Sequence, residues 1–269
     1  MNKKYRSKAM PSRDMSSEFR KLRLYNLFMG FFHLIQGVLM LILSNAFSLP
    51  LSTSYLKFDI ATRTLNSNPA QIGLLQIGPI VAAFLLISAL AHFITVLPGV
   101  FPWYSRNLEH KINYIRWWEY AFSSSLMIVV IAMLCGMYDL PSLIMIFALN
   151  ALMNFWGLAM EIHNQTTAKT NWTTFLFGCL SGIVPWIALS MYFFGALGSA
   201  NTTIPTFVYF ILGSIFVFFN IFAVNMILQY KKVGPWKDYL YGERVYILLS
   251  LVAKTLLAWQ IFAGTLRPA

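Results

Sequence analysis

Charged residues are scarce in this chain. Asp, Glu, Lys and Arg make up only 11% of its 269 residues, whereas a soluble domain carries about 25%. Hydrophobic residues account for 58%, and the mean hydropathy is +0.63. This composition excludes a soluble domain and indicates an all-α protein that crosses the lipid bilayer several times.

Cysteines and acidic residues are also few. Cys135 and Cys179, the two cysteines, both fall in apolar spans, so we interpret them as packing residues rather than a disulfide. No cysteine or carboxylate stands at the spacing of a metal site. No nucleophile–base arrangement or nucleotide-binding loop is evident either. We therefore expect neither a bound metal nor an enzyme.

Seven apolar segments are long enough to cross a bilayer, which takes about 20 residues. Most connections between them are short, which favours a sequential seven-helix bundle within residues 24–266. Residues 1–23 form a basic tail, of which the first twenty residues are expected to be disordered. The spans are predicted at 24–46, 73–97, 113–137, 141–162, 173–195, 205–230 and 243–265.

Basic residues are distributed unequally between the two ends of these spans. Fourteen Lys and Arg residues fall on the side of the N-terminus and three on the other side. Because basic loops stay in the cytoplasm, the N-terminus is predicted to be cytoplasmic and the C-terminus extracellular, in the cell membrane. The net charge of +11 is thus explained by topology and does not predict binding to nucleic acid.

One loop is long, at residues 47–72 between the first and second spans. Its β-branched and alternating residues favour a small β-hairpin, although an irregular loop stays open. An ordered outer loop of this length is a candidate contact for a homodimer.

Lys254 stands in the middle of the last span. A lysine at the centre of a bilayer costs roughly 2.5–3.5 kcal/mol on insertion scales and is a functional-site candidate by default. It follows Gly242 by twelve residues, or about 18 Å of helix at ~1.5 Å per residue. A covalent imine between its amine and an aldehyde would explain a lysine at this depth; the alternative is a side chain that snorkels to the interface.

Glu119, in the third span, is the acid best placed to partner Lys254, because both spans enter the membrane from the same side. A buried cation needs a counter-charge, and a nearby anion favours the protonated form of an imine. Ser250 lies one turn before Lys254, and Ser123 and Ser124 follow Glu119. These hydroxyls are candidates to hydrogen-bond the pair, or else small residues that serve helix packing.

Arg116 precedes Glu119 by one turn, which places both on one face of a helix. It is either an ion gate or fixed charge that tunes Glu119, or an arginine that marks the cytoplasmic border. His33 and His92 lie in the middle of the first two spans. They form either a proton-holding network with Glu119 or a pair of ordinary core histidines.

Lysine in the seventh span with Arg-x-x-acid in the third resembles the microbial rhodopsins. Five strings narrow the resemblance to the heliorhodopsins, and the last of them is the most specific. The resemblance covers nearly the whole chain, and the inverted orientation agrees with that family. The strings are HLIQ, SALAHF, RWWEY with SSSLMIV, GIVPW and GERVYILLSLVAKTLLAWQIFAGTL.

The resemblance implies that Lys254 binds all-trans retinal as a protonated Schiff base with Glu119 as its counterion. Ser250 stands where ordinary pumps place a second carboxylate, which supports a single counterion. The other retinal-binding residues implied are Ser124, Met127, Trp186 and Phe219. The polar cavity and proton network implied consist of His33, Gln36, Ser88, His92, Arg116, Tyr120, Asn150, Glu161 and Glu243. The resemblance also implies a homodimer to which the outer loop contributes.

One position argues against proton pumping. Outward proton pumps place a carboxylate eleven residues after the third-span counterion, and here that residue is Val130. The expected function is therefore a photoreceptor with a slow photocycle. Light would isomerise retinal from all-trans to 13-cis, and the Schiff-base proton would then enter the polar cavity. Helix shifts would signal this change to an unknown cytoplasmic partner. Two alternatives stay open: a light-gated proton transporter or channel, and a light-dependent regulator of a soluble enzyme.

Overall fold

Seven long helices run the length of the molecule, and a two-stranded sheet projects from one end. The computed structural model describes residues 15–198 and 204–267, and within them all seven long helices are apolar and long enough to cross a membrane. The seven-helix bundle predicted from the sequence is confirmed. The long helices are α1 (Met15–Leu43), α2 (Ile77–Val96), α4 (Tyr114–Leu134), α5 (Leu140–His163), α6 (Thr173–Leu197), α7 (Thr206–Lys231) and α8 (Tyr239–Ile261).

The two ends of the bundle differ in structure. At the hairpin end, strands β1 (Ser48–Asp59) and β2 (Thr64–Gln76) connect α1 to α2. At the opposite end, which we call the tail end because α1 begins there, a short helix α3 (Phe101–Glu109) connects α2 to α4. Helix α3 was not predicted from the sequence.

Helix α1 begins nine residues before the predicted first span and includes part of the segment expected to be disordered. Phe19 and Leu22 are buried against α3 and α8. Glu18 also accepts a hydrogen bond from Arg244 of α8 at 3.0 Å. These contacts compensate for the polar composition, so residues 15–20 are helical. Residues 1–14 of the predicted tail lie outside the described part of the chain.

The hairpin predicted in the outer loop is present and is longer than expected. Its strands pair antiparallel from Ser48↔Gln76 to Asp59↔Thr64. Because residues 73–76 complete this ladder, α2 begins four residues later than the predicted span. The backbone N–H of Ser52 donates to the carbonyl of Tyr138 at 2.9 Å, which attaches the base of the hairpin to the start of α5.

Helix α4 occupies the centre of the bundle. In its most apolar 18-residue stretch 72% of the residues are buried, against 17% in α7, and it packs against α2, α5, α6 and α7. Asn113 caps its first turn by accepting the backbone N–H of Arg116 at 3.0 Å. The central helix therefore starts at a fixed position and presents its polar residues to the interior.

Candidate functional site

Helices α4 and α8 bring Glu119 and Lys254 together, as the sequence predicts. Lys254 Nζ donates to Glu119 Oε1 at 2.8 Å and to Ser250 Oγ at 2.7 Å. The hydroxyl of Ser88, on α2, donates to the same Glu119 oxygen at 2.6 Å. The side chains of the pair are only 3% and 7% exposed. Three helices thus hold one buried ion pair and two hydroxyls near mid-bundle.

An aromatic ring completes the surroundings of this cation. Lys254 Nζ lies 5.2 Å from the centroid of the Tyr120 ring, a distance at which the face of the ring attracts a positive charge. The Tyr120 hydroxyl donates to the carbonyl of Tyr246 at 2.9 Å. This bond fixes the ring between α4 and α8.

A polar cavity of about 30 Å³ lies on the tail side of the ion pair. A polar space of that size accommodates one or two water molecules. The predicted residues that line it are Ser88, His92, Arg116, Glu119, Tyr120 and Ser250, and the residues that the sequence analysis missed include Asn26, Thr95, Tyr104 and Asn113. Asn113 carried a usable signal, because an asparagine just before an apolar span is a common N-cap; the others carried none.

His33 and His92 lie side by side at this site, with ring centroids 5.5 Å apart and nearly parallel. His92 Nδ1 is hydrogen-bonded to Asn26 Oδ1 at 2.8 Å. His33 is fully buried, and neither of its ring nitrogens has a hydrogen-bond partner among the described residues. Since buried polar groups are normally hydrogen-bonded, His33 is an unusual core residue.

Arg116 does not pair with Glu119. It forms buried salt bridges with Glu161 of α5 and Glu243 of α8 instead, and its guanidinium stacks 4.2 Å from the centroid of Tyr246. Neither interpretation of Arg116 from the sequence included this arrangement. We call Arg116, Glu161 and Glu243 the arginine cluster; it lies at the tail end, beyond the cavity.

A close helix contact supports the arginine cluster. Trp117 Nε1 donates to Glu161 Oε2 at 2.7 Å. Its indole fits only because Gly157 faces it: a Cβ at position 157 would lie 2.3 Å from ring atoms of Trp117. The sequence analysis assigned no role to this glycine.

Three predicted members of the site lie in other networks. Asn150, predicted in the cavity, donates to the hydroxyls of Ser124 and Ser125 at 2.8 and 3.1 Å. Gln36, also predicted there, accepts a hydrogen bond from Trp259 Nε1 at 3.1 Å. Ser124, predicted to bind retinal, donates to the backbone carbonyl of its own helix at Tyr120. These three side chains thus lie in networks apart from the cavity.

Apolar side chains cover the hairpin side of the ion pair. Met127 is 2% exposed and Trp186 is 8% exposed, in one core with Leu257, which lies one turn after Lys254. Phe219 packs against Trp186 edge to face, with ring centroids 5.6 Å apart. Trp186 also lines an apolar groove of about 440 Å³ between α6 and α7.

The rest of the hairpin half, from the Lys254–Glu119 pair to the hairpin, has an apolar core. Val130 and Ile131 are fully buried in it. Among the described residues of this half, no Asp, Glu, Lys, Arg or His is buried.

Comparison with known proteins identifies the family. A search of curated proteins found no match to this chain. The family model described as Heliorhodopsin matches residues 22–266, a range that contains the ion pair, the cavity, the arginine cluster and the hairpin. The chain belongs to the heliorhodopsin family.

Proposed function

We propose that this chain is a light sensor in which Lys254 carries all-trans retinal and Glu119 balances its charge. The family binds retinal as its chromophore. One observation carries the assignment of the residues: the buried contact of 2.8 Å between Lys254 Nζ and Glu119 Oε1. Among the described residues Lys254 is the only buried lysine, so it is the amine that an aldehyde in the bundle would meet.

The residues around Lys254 fit retinal on both sides. A polyene needs an apolar environment, which Met127, Trp186 and Phe219 supply on the hairpin side. The polar end needs a carboxylate and hydroxyls, which Glu119, Ser88 and Ser250 supply. When bound, retinal supplies light absorption and an isomerisation that displaces the charge at Lys254.

The protein groups around Lys254 determine where its proton goes after that displacement. In the dark, Glu119 is held by Lys254 and Ser88, so the positive charge stays at the Lys254 nitrogen. When the two groups move apart, this pairing weakens and the nitrogen releases its proton toward the polar cavity. The proposed acceptors are Glu119 and His92, which line the cavity, and His33, whose ring stacks on that of His92.

The polarity of the two halves favours signalling over ion transport. The cavity and the arginine cluster extend toward the tail end, whereas the hairpin half has no buried charged residue in the described chain. A transported ion would have to cross that apolar core at high cost. We infer a slow photocycle that ends in helix shifts at the tail end, which an unknown partner detects.

We also propose that the tail end faces the cytoplasm, because fourteen basic residues lie on that side and three on the other, as the positive-inside rule requires. The hairpin then lies outside the cell.

The hairpin exposes Tyr55, Leu56, Phe58 and Ile60, each more than half accessible, and exposed apolar patches mark interaction sites. We propose a homodimer contact there; Leu56→Lys should shift the protein from dimer to monomer in light scattering.

The first experiment is an absorption spectrum of the membrane-expressed protein with all-trans retinal, before and after hydroxylamine under light. A visible band that bleaches supports the retinal site on Lys254. Folded protein that shows no such band would contradict it.

A voltage-clamped cell expressing the protein then separates sensing from transport. The light-sensor proposal expects no sustained photocurrent at any holding potential. A robust steady current would replace it with the transporter or channel alternative.

A further inference from the structure

The arginine cluster holds one positive and two negative side chains in the interior. Arg116 is 6% exposed, Glu161 is 1% exposed and Glu243 is fully buried. Among the described residues, Arg116 is the only cation within salt-bridge distance of either carboxylate. If both acids were ionised, a buried negative charge would stay uncompensated, which is costly enough that a group takes up a proton instead.

The two carboxylates differ in the number of hydrogen bonds that they accept. Glu161 accepts four: from Arg116, from the backbone N–H of Asn113 at 2.9 Å, from Trp117 at 2.7 Å and from the Tyr239 hydroxyl at 3.3 Å. An ionised carboxylate has about four acceptor positions, so Glu161 is saturated as an anion.

Among the described residues, Glu243 accepts fewer hydrogen bonds than Glu161. Its partners are Arg116 and the side-chain amide of Asn113, the latter at 2.8 Å. Hydrogen bonds to a charged form stabilise that form, and Glu243 receives fewer of them than Glu161. The proton that neutralises the cluster therefore belongs on Glu243.

No other charged group faces Glu243 from the neighbouring helices in the described part of the chain. Arg244, the next residue, is directed to Glu18 and Asp238, at 3.0 and 3.7 Å. The ionisable side chains otherwise close to the cluster are tyrosines, which are neutral near pH 7. For Tyr104 of α3, burial raises the pKa further. The remaining tyrosines are Tyr120 of α4, Tyr230 of α7, and Tyr239 and Tyr246 of α8.

The cluster is structurally connected to the ion pair. Arg116 and Asn113 both contact Glu243 and both line the cavity that Glu119 and Ser250 line from the other side. Residues 243, 250 and 254 also share one face of α8, because their spacings are seven and four. A change of charge at Glu119 therefore acts on Glu243 through one water-sized space and one helix.

We propose that the arginine cluster is a proton-binding site, that Glu243 holds its proton in the dark, and that the charge on Glu119 controls the strength of its hydrogen bonds. The dark-state site is independent of retinal; its response to light rests on the proposed function.

Thermal unfolding of the retinal-free protein in detergent tests the dark-state site. Glu161→Gln places an amide among four donors and transfers the negative charge to Glu243, which accepts fewer hydrogen bonds, so the melting temperature should fall sharply. Glu243→Gln replaces a neutral acid with a neutral amide and should lower it clearly less. An equal or larger fall for Glu243→Gln, or failure of that variant alone to fold, would overturn the proposal.

Infrared spectroscopy of the parent protein tests the same site without any variant. At neutral pH the parent protein should show the carbonyl-stretching band of a protonated carboxylic acid, and this band should shift when glutamate is ¹³C-labelled. Absence of such a band from the parent would overturn the proposal. The band should persist in Glu119→Gln and in Glu109→Gln, which changes an exposed residue. It should vanish in Glu243→Gln and in Glu161→Gln, because Arg116 then compensates an ionised Glu243.

Illumination of the coloured protein tests the coupling. The same band should appear as a paired loss and gain in the light-minus-dark difference spectrum. A coloured protein whose band does not respond to light would remove the coupling and leave the dark-state site. A protein that never becomes coloured would contradict the retinal proposal, and the two dark experiments would still decide the proton site.

Discussion

The tail half and the hairpin half of this bundle have opposite interiors. Toward the tail end, five ionisable side chains with exposures of 9% or less form an ion pair and the arginine cluster, separated by a polar cavity. Toward the hairpin, the described core contains no buried charged residue, and Val130 and Ile131 are fully buried within it. The boundary runs through Lys254.

This difference restricts what the protein can do with a displaced charge. Buried charges are costly and persist where they are paired, so the tail half contains groups that exchange protons and hydrogen bonds. The hairpin half offers packing and neutral hydrogen bonds such as those between Asn150 and Ser124, but no buried charged group among the described residues. A disturbance at Lys254 therefore has buried charged partners on one side only among the described residues, and substitutions on each side of that boundary test the contrast.

Replacement of Lys254 is expected to have the largest effect. Lys254→Ala removes the amine at the boundary and should abolish visible absorbance completely in protein supplied with retinal. Lys237→Ala, at an exposed position outside the spans, is the control and should keep the band. Retained colour in Lys254→Ala, measured on folded protein, would place the chromophore elsewhere.

Loss of Arg116 should cause the next largest effect. Arg116→Ala leaves the buried Glu161 carboxylate without its cation and should reduce the free energy of unfolding by about 3–5 kcal/mol, as measured by denaturation in detergent. The exposed Arg106→Ala should change it by no more than ~0.5 kcal/mol. Equal stabilities would mean that the tail half tolerates unpaired charge.

Glu119→Gln should alter colour rather than the fold. Without the carboxylate, no described group within hydrogen-bond distance compensates the charge at the Lys254 nitrogen. The visible band should therefore move to longer wavelength, or give way to a near-ultraviolet band when the nitrogen loses its proton. Glu109→Gln serves as the matched control. An unchanged absorption spectrum in Glu119→Gln would show that another group is the counterion.

Ser124→Ala should have the smallest effect. Its hydroxyl accepts from Asn150 at 2.8 Å and from Asn154 at 3.1 Å, so its loss should cost about 1 kcal/mol of unfolding free energy. The visible band should move less than in Glu119→Gln. A shift in Ser124→Ala as large as that in Glu119→Gln would show that the polar site includes residues on the hairpin side of Lys254.

Much of the fold was predictable, because helices in a bilayer must be long, apolar and internally hydrogen-bonded. The predicted spans agree with the helices to within four residues at all but one of their ends. That end is the start of α1, which packing of Phe19 and Leu22 against α3 and α8 extends back to Met15. Helix α3 was also not predicted, because the spans were recognised by long apolar runs and this short amphipathic helix has none.

The part of the candidate site that depends on the need for a counter-charge was predictable from the sequence. The part that depends on which side chains meet in the tertiary structure was not. Lys254 and Glu119 were paired correctly, since a buried cation needs an anion. The partners of Arg116 were missed because helix spacing pointed to Glu119, whereas the tertiary arrangement brings Glu161 and Glu243 closer. Sequence spacing gives neighbours within one helix, and the arginine cluster is assembled from three.

Gly157 links the steric fit of two helices to the electrostatics of the arginine cluster. Its missing side chain is what allows the Trp117 indole to reach Glu161. One added methyl group at that position would displace the ring and remove a donor from an anion, although the formal charge of the protein would be unchanged. In this family member, the size of the side chain at position 157 on α5 therefore influences the hydrogen bonding of the arginine cluster, although residue 157 is not itself ionisable.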